Sequence, residues 1–330
     1  MLLEERIDAF NKIGDIFCNF QRNNSFKESI EKAQIENPWF LKSNIQNAFL
    51  ALAKMLNKDQ LHEWSSLYNM NRAAKTVGVI IPANIPLVGF YDFLCVLLSG
   101  NIFIGKLSLS NTVLLPFVAK LLCDINPKFE NYIFFQNNLD EVDLLIATGN
   151  DNSADYFNFL FEKKRKIIRK NRNSVAVLNG NETDDEYKKL SHDIYMYFGL
   201  GCRNISKLFV PRWFDFNHVK GIFQDADPIM CQAYLDNYNY QKAILNMNSI
   251  DFLDFDNLLL VESTHINSPI SVLYYQYYDD IKEVDEFLDF NRDNIQCVVG
   301  HNSLVQFGNT QIPLVFNSPD NIDVMRFLTS

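Results

Sequence analysis

No two cysteines in this chain are spaced C-x-x-C, no glycine cluster reads G-x-G-x-x-G, and no apolar stretch is long enough to cross a bilayer. Each absence removes a class of function. The cysteines (Cys18, Cys95, Cys123, Cys202, Cys231, Cys297) lie far apart, so neither a disulfide framework nor a zinc or other metal site is expected, and a reducing cytoplasm fits. The most apolar run, Leu87 to Ser99, falls short of the about 20 residues of a membrane helix and contains Asp92; it is expected as a buried core helix. Positive charge is also short: a net charge of -10 repels polyphosphate backbones and acidic membranes, so neither nucleic acid nor a lipid surface is expected as partner, and small molecules are. The opening "MLLEERIDAF" puts Glu4 and Glu5 where an export signal needs basic residues, so none is expected. Repeats and low-complexity linkers are missing as well.

What is present is length and alternation. A chain of 330 residues exceeds what one core usually supports, so two lobes of about 150 residues each are expected. Residues 1–76 read as helical: "FLKSNIQNAFLALAKMLN" spaces its apolar residues by three and four, with Ser43 as a cap. They form a supporting segment without chemistry of its own. From Val77 the pattern becomes strand, helix, strand: "VGVII", helix 87–99, "NIFIGK", helix 111–123, "YIFFQ", "VDLLIAT", helix 153–164. After "SVAVLNG" it resumes with helix 182–198, strand 207–210, helix 228–246, "LLLVES", "SVLYYQYY", helix 281–290 and "IQCVVG". Such alternation means right-handed crossovers and parallel sheets covered on both faces, with a boundary near residues 175–181.

Open parallel sheets bind ligands beyond the carboxyl ends of their strands. Asn84 follows strand 77–81, Lys106 follows strand 102–105, and Thr148 and Gly149 follow strand 142–147. The Lys106 ammonium and Ser108 hydroxyl suit a dinucleotide's ribose and phosphate, and Gly149 would admit a flat ring or pyrophosphate; equally, these are a surface lysine and a turn glycine. "EKKRKIIRKNRN" (162–173) could hold phosphates, but such a run is more often a solvated helix end and strand edge. Cys202, in "FGLGCRN", sits in a loop past a helix that Gly199 and Gly201 should end, with Arg203 beside it to favour a thiolate. It is either a nucleophile or a small buried hydrophobe. The 28 phenylalanines and 14 tyrosines either line an aromatic tunnel for a ligand or are plain core.

Residues 77–330 resemble the aldehyde dehydrogenase superfamily, and within it the long-chain fatty acyl-CoA reductases, the reductase component of bacterial bioluminescence systems and its non-luminous relatives. "IIPANIPL" resembles the P-W-N-x-P loop, "GNIFIGKLS" the G-N-x-x-x-x-K-P-S strand, "LLIATGN" the F-T-G-S turn and "GLGCRNISKLFVP" the G-Q-x-C segment. "HINSPISVLYY" is similar to E-I-F-G-P with its following strand, and "FGNTQIPLVFN" to the reductases' C-terminal segment. The resemblance implies an aldehyde dehydrogenase-like fold of two α/β lobes with open parallel sheets and a helical N-terminal segment. It divides the chain into residues 1–76, packing on a Rossmann-like cofactor lobe 77–178, a catalytic lobe 179–305, and a segment 306–330 returning to the cofactor lobe. It makes Cys202 the nucleophile and Asn84 the oxyanion amide, and assigns Pro82, Lys106, Ser108, Thr148, Gly149 and His265 to the cofactor. His265 replaces a glutamate that contacts the nicotinamide ribose in relatives; a satisfied surface histidine is the alternative.

Two departures refine the expectation. Val177 is matched to the glutamate that activates water in hydrolytic members, so the acyl-enzyme should exit to coenzyme A or hydride. Leu109 falls where NAD-preferring members carry an acid, which favours NADPH, with NADH as the alternative. The implied activity is reduction of an acyl thioester, as a fatty acyl-CoA or on a protein, to an aldehyde, with coenzyme A leaving. The enzyme is expected as a homo-oligomer, with an acyl-transferring or acyl-activating protein as a further partner. Because the stretch after Cys202 is short, the rival is an inactive or acyl-carrying subunit of a biosynthetic complex.

Overall fold

Helical spacing ends where β-branched runs begin, and the chain switches from one layer type to the other at residue 76. The computed structural model describes residues 1–70, 73–224, 231–300, 303 and 305–330. Four helices come first, α1 (Leu3–Cys18), α2 (Asn24–Glu36), α3 (Lys42–Met55) and α4 (Lys58–Ser66). Their apolar stripes carry phenylalanines that meet edge-on: Phe10 stands 6.2 Å from Phe93 and from Phe129, Phe26 5.0 Å from Phe49 and 4.8 Å from Phe117. Positive ring edges against negative faces make such pairs favourable beyond their buried area. Much of the aromatic abundance is therefore plain core.

Then follow β1 (Thr76–Ile81), α5 (Phe90–Leu98), β2 (Ile102–Leu107), α6 (Leu114–Ile125), β3 (Ile133–Phe135), β4 (Leu144–Thr148), α7 (Asp151–Leu160) and β5 (Arg165–Arg169). Their strands form one all-parallel sheet in the order β3-β2-β1-β4-β5. The rest comprises β6 (Asn173–Val177), α8 (Asp184–Tyr195), β7 (Ile205–Pro211), α9 (Phe216–Gln224), α10 (Gln232–Met247), β8 (Leu253–Asp254), β9 (Leu259–Glu262), β10 (Val272–Tyr278), α11 (Ile281–Phe290), β11 (Ile295–Val299) and α12 (Val324–Thr329). The second sheet runs β11-β6-β7-β10-β9-β8 and is parallel except for the short edge strand β8. The fold is thus α/β, with two open sheets and a helical N-terminal segment.

Two compact units result, Met1–Asn171 with Ile312–Ser330, and Arg172–Gln311. The expected boundaries at 178/179 and 305/306 move to 171/172 and 311/312. The reason is hydrogen bonding: β6, expected to close the first lobe, lies between β7 and β11 in the second sheet. A buried apolar run does not reveal which sheet it joins. Helix ends shift for local reasons too. The expected helix 87–99 begins at Phe90, because Leu87 and Gly89 take left-handed backbone at φ 58° and 86°. The expected helix 182–198 stops at Tyr195, where Tyr197 and Phe198 become left-handed. Of the expected helix 228–246, residues 228–230 lie outside the described residues, and α10 begins at Gln232.

The basic run 162–173 contains β5, an edge strand. Its cations cap the protein's own carbonyls: Lys164 donates to Asp140 O and Val142 O at 2.7 Å each, and Lys166 to Phe161 O at 3.0 Å. Arg169 is buried and pairs bidentately with Asp92 of α5, at 2.6 and 2.8 Å. Burial pulls on the guanidinium, but the Asp92 charge and hydrogen bonds overcome it and leave Arg169 above its ordinary pKa. Asp92→Ala strands that buried cation and should lower stability by about 3–5 kcal/mol in urea denaturation, whereas replacing both partners with leucine should recover much of the loss.

Candidate active site

Register places the candidate groups of the first unit along one edge. β2, β1 and β4 are neighbours, with Ile80 of β1 level with Lys106 of β2 and Ala147 of β4. Pro82 and Asn84, Lys106 and Ser108, and Thr148 and Gly149 therefore all stand at the carboxyl ends of three adjacent parallel strands, each half-buried. The loops are stitched together: Ser108 N–H donates to Ile81 O at 3.2 Å, and the Asn111 amide donates to Pro82 O at 2.9 Å. Leu109 is 94% exposed at the turn after β2. At Gly149 a Cβ would lie 2.8 Å from the Ser153 Cβ, so the glycine also lets α7 pack closely on the sheet.

In the second unit Cys202 lies half-buried in a turn leading into β7. That turn follows three consecutive left-handed residues, Tyr197 (φ 52°), Phe198 (φ 59°) and Gly199 (φ 77°). Only the glycine adopts this conformation without strain; the aromatic residues cost roughly 1–2 kcal/mol each and must be held. Asn204, 2% exposed, holds them. Its Nδ2 donates to Met196 O at 2.6 Å, Asp193 O at 3.1 Å and Ile194 O at 3.3 Å, while its Oδ1 accepts from Gly201 N–H at 2.9 Å. One amide thus ties the end of α8 to the turn around Cys202. On the other side, Ser174 Oγ of β6 donates to Cys202 O at 3.0 Å and lies 3.0 Å from Cys297 Sγ. Burial pushes the Cys297 thiol up, opposed by the Ser174 hydrogen bond and by the Arg203 charge.

The matching of Val177 to the water-activating base is not met. Ser174, beside Cys202, begins β6, whereas Val177 ends it, level with Phe209. Three residues of strand separate the two, about 10 Å at about 3.3 Å per residue. A general base must come within a hydrogen bond or one water of its proton, and residue 177 does not. The acid next along the chain, Glu182, is engaged in its own loop, accepting from Asn179 N–H, Gly180 N–H and the Tyr187 hydroxyl.

His265 is exposed on the crossover between β9 and β10. The strand after Cys202 anchors that crossover. Ser206 Oγ donates to Ile266 O at 2.8 Å, and the Lys207 ammonium donates to Ser263 O at 2.7 Å, His265 O at 3.2 Å and Gln276 Oε1 at 2.8 Å. Lys207 is 0% exposed and lies over the Phe209 and Phe287 rings, at 5.1 and 4.8 Å. Its three donors meet three neutral acceptors, and burial pulls its pKa down to about 8.

Sequence reading missed Lys207, Asn204, Asn37 and Asn111. A lone lysine inside the apolar run "ISKLFVP" was the one available signal for the first; the asparagines look like ordinary turn residues. Among the described residues no helix is long and apolar enough to cross a membrane.

Solved structures share this fold. An NAD-dependent aldehyde dehydrogenase from Sinorhizobium meliloti superposes with a TM-score of 0.68 at 12% identity, over 94% of this chain and 72% of that one. Aldehyde dehydrogenase 21 from Physcomitrella patens, in complex with its reaction product succinate, gives 0.68 at 14% identity, over 92% and 74%. The NAD+ complex of an aldehyde dehydrogenase from Bacillus cereus gives 0.66 at 15%, over 91% and 72%. The fold is that of the aldehyde dehydrogenases. No curated protein matches this sequence. The family described as Acyl-CoA reductase (LuxC) matches residues 19–212, more than half of the chain. The chain belongs to that family and is an oxidoreductase acting on acyl or aldehyde groups.

Lys207 carries a stability signature with a definite sign. Its folded pKa lies below the unfolded value of 10.5, so between about pH 8 and 10.5 the unfolded chain binds more protons and stability rises with pH. Relative to Lys207→Met, the wild-type protein should gain unfolding free energy as pH is raised from 7.5 to 10 in urea titrations.

Proposed function

We propose that this chain is a cysteine-dependent acyl-CoA reductase that converts an acyl thioester, a fatty acyl-CoA, to the aldehyde with NADPH. Cys202 carries the reading: its half-exposed turn is held from both sides, by the Asn204 amide and by Ser174. The Cys202 thiolate attacks the thioester carbonyl, the carbon–sulfur bond to coenzyme A breaks, and coenzyme A departs as the thiolate, which takes its proton from solvent. The Asn84 side-chain amide donates to the oxygen that becomes negative during the attack, a contribution of roughly 3 kcal/mol where such a donor is preorganised. Cys202 then holds the acyl group as a thioester close in energy to the one broken.

The donor set supports a nicotinamide dinucleotide: an ammonium and two hydroxyls at adjacent strand ends, with no acid at Leu109 to repel a 2'-phosphate. Lys106, Ser108, Thr148, Gly149 and Pro82 would hold it, with His265 as a further contact, and when bound it supplies hydride. The chain's part in that half-reaction is to present the acyl group on Cys202 and to release sulfur as thiolate when the reduced adduct collapses to aldehyde.

Incubation with octanoyl-CoA should add one acyl group to Cys202 by intact-protein mass spectrometry, and Cys202→Ala should lose both the adduct and turnover while retaining NADPH binding. Asn84→Ala should slow acylation about a hundredfold. NADPH oxidation with acetyl-, octanoyl- and tetradecanoyl-CoA should rise with chain length. Normal turnover of Cys202→Ala would overturn the assignment.

A further inference from the structure

The loop from Pro82 to Gly89 bears Asn84 and contains no helix or strand of its own. Leu87 within it is left-handed at φ 58° while only 5% exposed, a conformation that a bulky residue keeps only where its surroundings over-determine it. Two buried amides hold the same loop at the residues just before Asn84. Asn111, 2% exposed, donates to Pro82 O at 2.9 Å, and Asn37, 4% exposed, donates to Ala83 O at 3.0 Å.

Asn37 is the informative one, because it comes from the helical segment to which the sequence assigns no chemistry. It caps the end of α2, and both halves of its amide are used: Oδ1 accepts from Trp39 N–H at 3.0 Å, fixing the exit of the helix, while Nδ2 reaches the loop. The preceding residue, Glu36, accepts from the N–H of Thr112 at 2.8 Å and from the Thr112 hydroxyl, in the loop that follows β2. Residues 36 and 37 therefore grip both neighbouring strand-end loops, one through a carboxylate and the other through an amide. Asn37 meets the loop at the carbonyl before Asn84, whereas Glu36 meets the β2 loop at Thr112, so the two contacts can be removed separately.

We propose that Asn37 is a positioning residue for the reaction: its hydrogen bond to Ala83 O sets where the Asn84 amide stands, and so sets the rate of Cys202 acylation. The proposal rests on the role given above to Asn84. A donor displaced by about an ångström loses much of its effect on a developing charge, which sets the scale of the loss.

The test is acylation of Cys202 by octanoyl-CoA without cofactor, followed by intact-protein mass spectrometry, in wild type, Asn37→Leu, Asn84→Ala and the double variant. Asn37→Leu should acylate about tenfold more slowly, with NADPH affinity by fluorescence within about twofold of wild type. In the Asn84→Ala background Asn37→Leu should add no further slowing, which a merely structural role would not produce. Should Asn37→Leu melt early, Asn37→Ser, too short to reach Ala83, is expected to give the same tenfold loss at wild-type melting temperature. Wild-type acylation rates in both Asn37 variants, or equal slowing with and without Asn84, would overturn the proposal. Wild-type acylation by Asn84→Ala would instead remove the role of Asn84, and this inference with it.

Discussion

A buried amide ties the end of one helix to the turn that carries the thiol. Asn204 makes four hydrogen bonds with one side chain, and each satisfies a backbone group that the end of α8 or the glycine turn would otherwise leave open. These bonds help to hold the left-handed Tyr197 and Phe198 and the turn bearing Cys202. The neighbouring Asp193 extends the same logic outward. Its buried carboxylate, pushed up by burial against the pull of its hydrogen bonds, accepts from Gly308 N–H, Thr310 N–H and the Thr310 hydroxyl. The late segment 308–310 is thereby pinned to the helix that leads to the cysteine.

Both units solve the same problem with asparagine, a side chain that donates and accepts at once and carries no charge to desolvate. Asn37 and Asn111 hold the Asn84 loop of one unit; Asn204 holds the Cys202 turn of the other. At Lys207 a buried lysine serves where three acceptors converge, and there burial lowers its pKa. Buried polar groups of this kind stabilise little on balance, but they define one arrangement among several.

Much of this was legible because parallel sheets write their strands as short apolar runs and place ligand groups just after them. Asn84 follows its strand as expected, Lys106 and Thr148 fall within the last two residues of theirs at the same sheet edge, and the loop position of Cys202 marks it off from cysteines in apolar faces. What escaped was whatever depends on pairing between distant segments. "SVAVLNG" looks the same in either sheet, so the unit boundary was placed seven residues late, and with β6 misjudged Val177 was matched to a position near the thiol that it does not occupy. The Arg169 pair with Asp92 and the Asn37 contact with Ala83 join residues 77 and 46 positions apart, distances over which local pattern carries no information.

The first unit is discontinuous, and its last piece is not ornamental. Residues 312–330 bring Val315, Val324 and Met325, each 0% exposed, into it; the Tyr91 hydroxyl donates to Val315 O and the Asn101 amide to Leu328 O. During synthesis the intervening stretch emerges whole before that piece exists. The lobe bearing the thiol can therefore mature on the ribosome ahead of the lobe bearing Asn84, reversing the order in which the two begin.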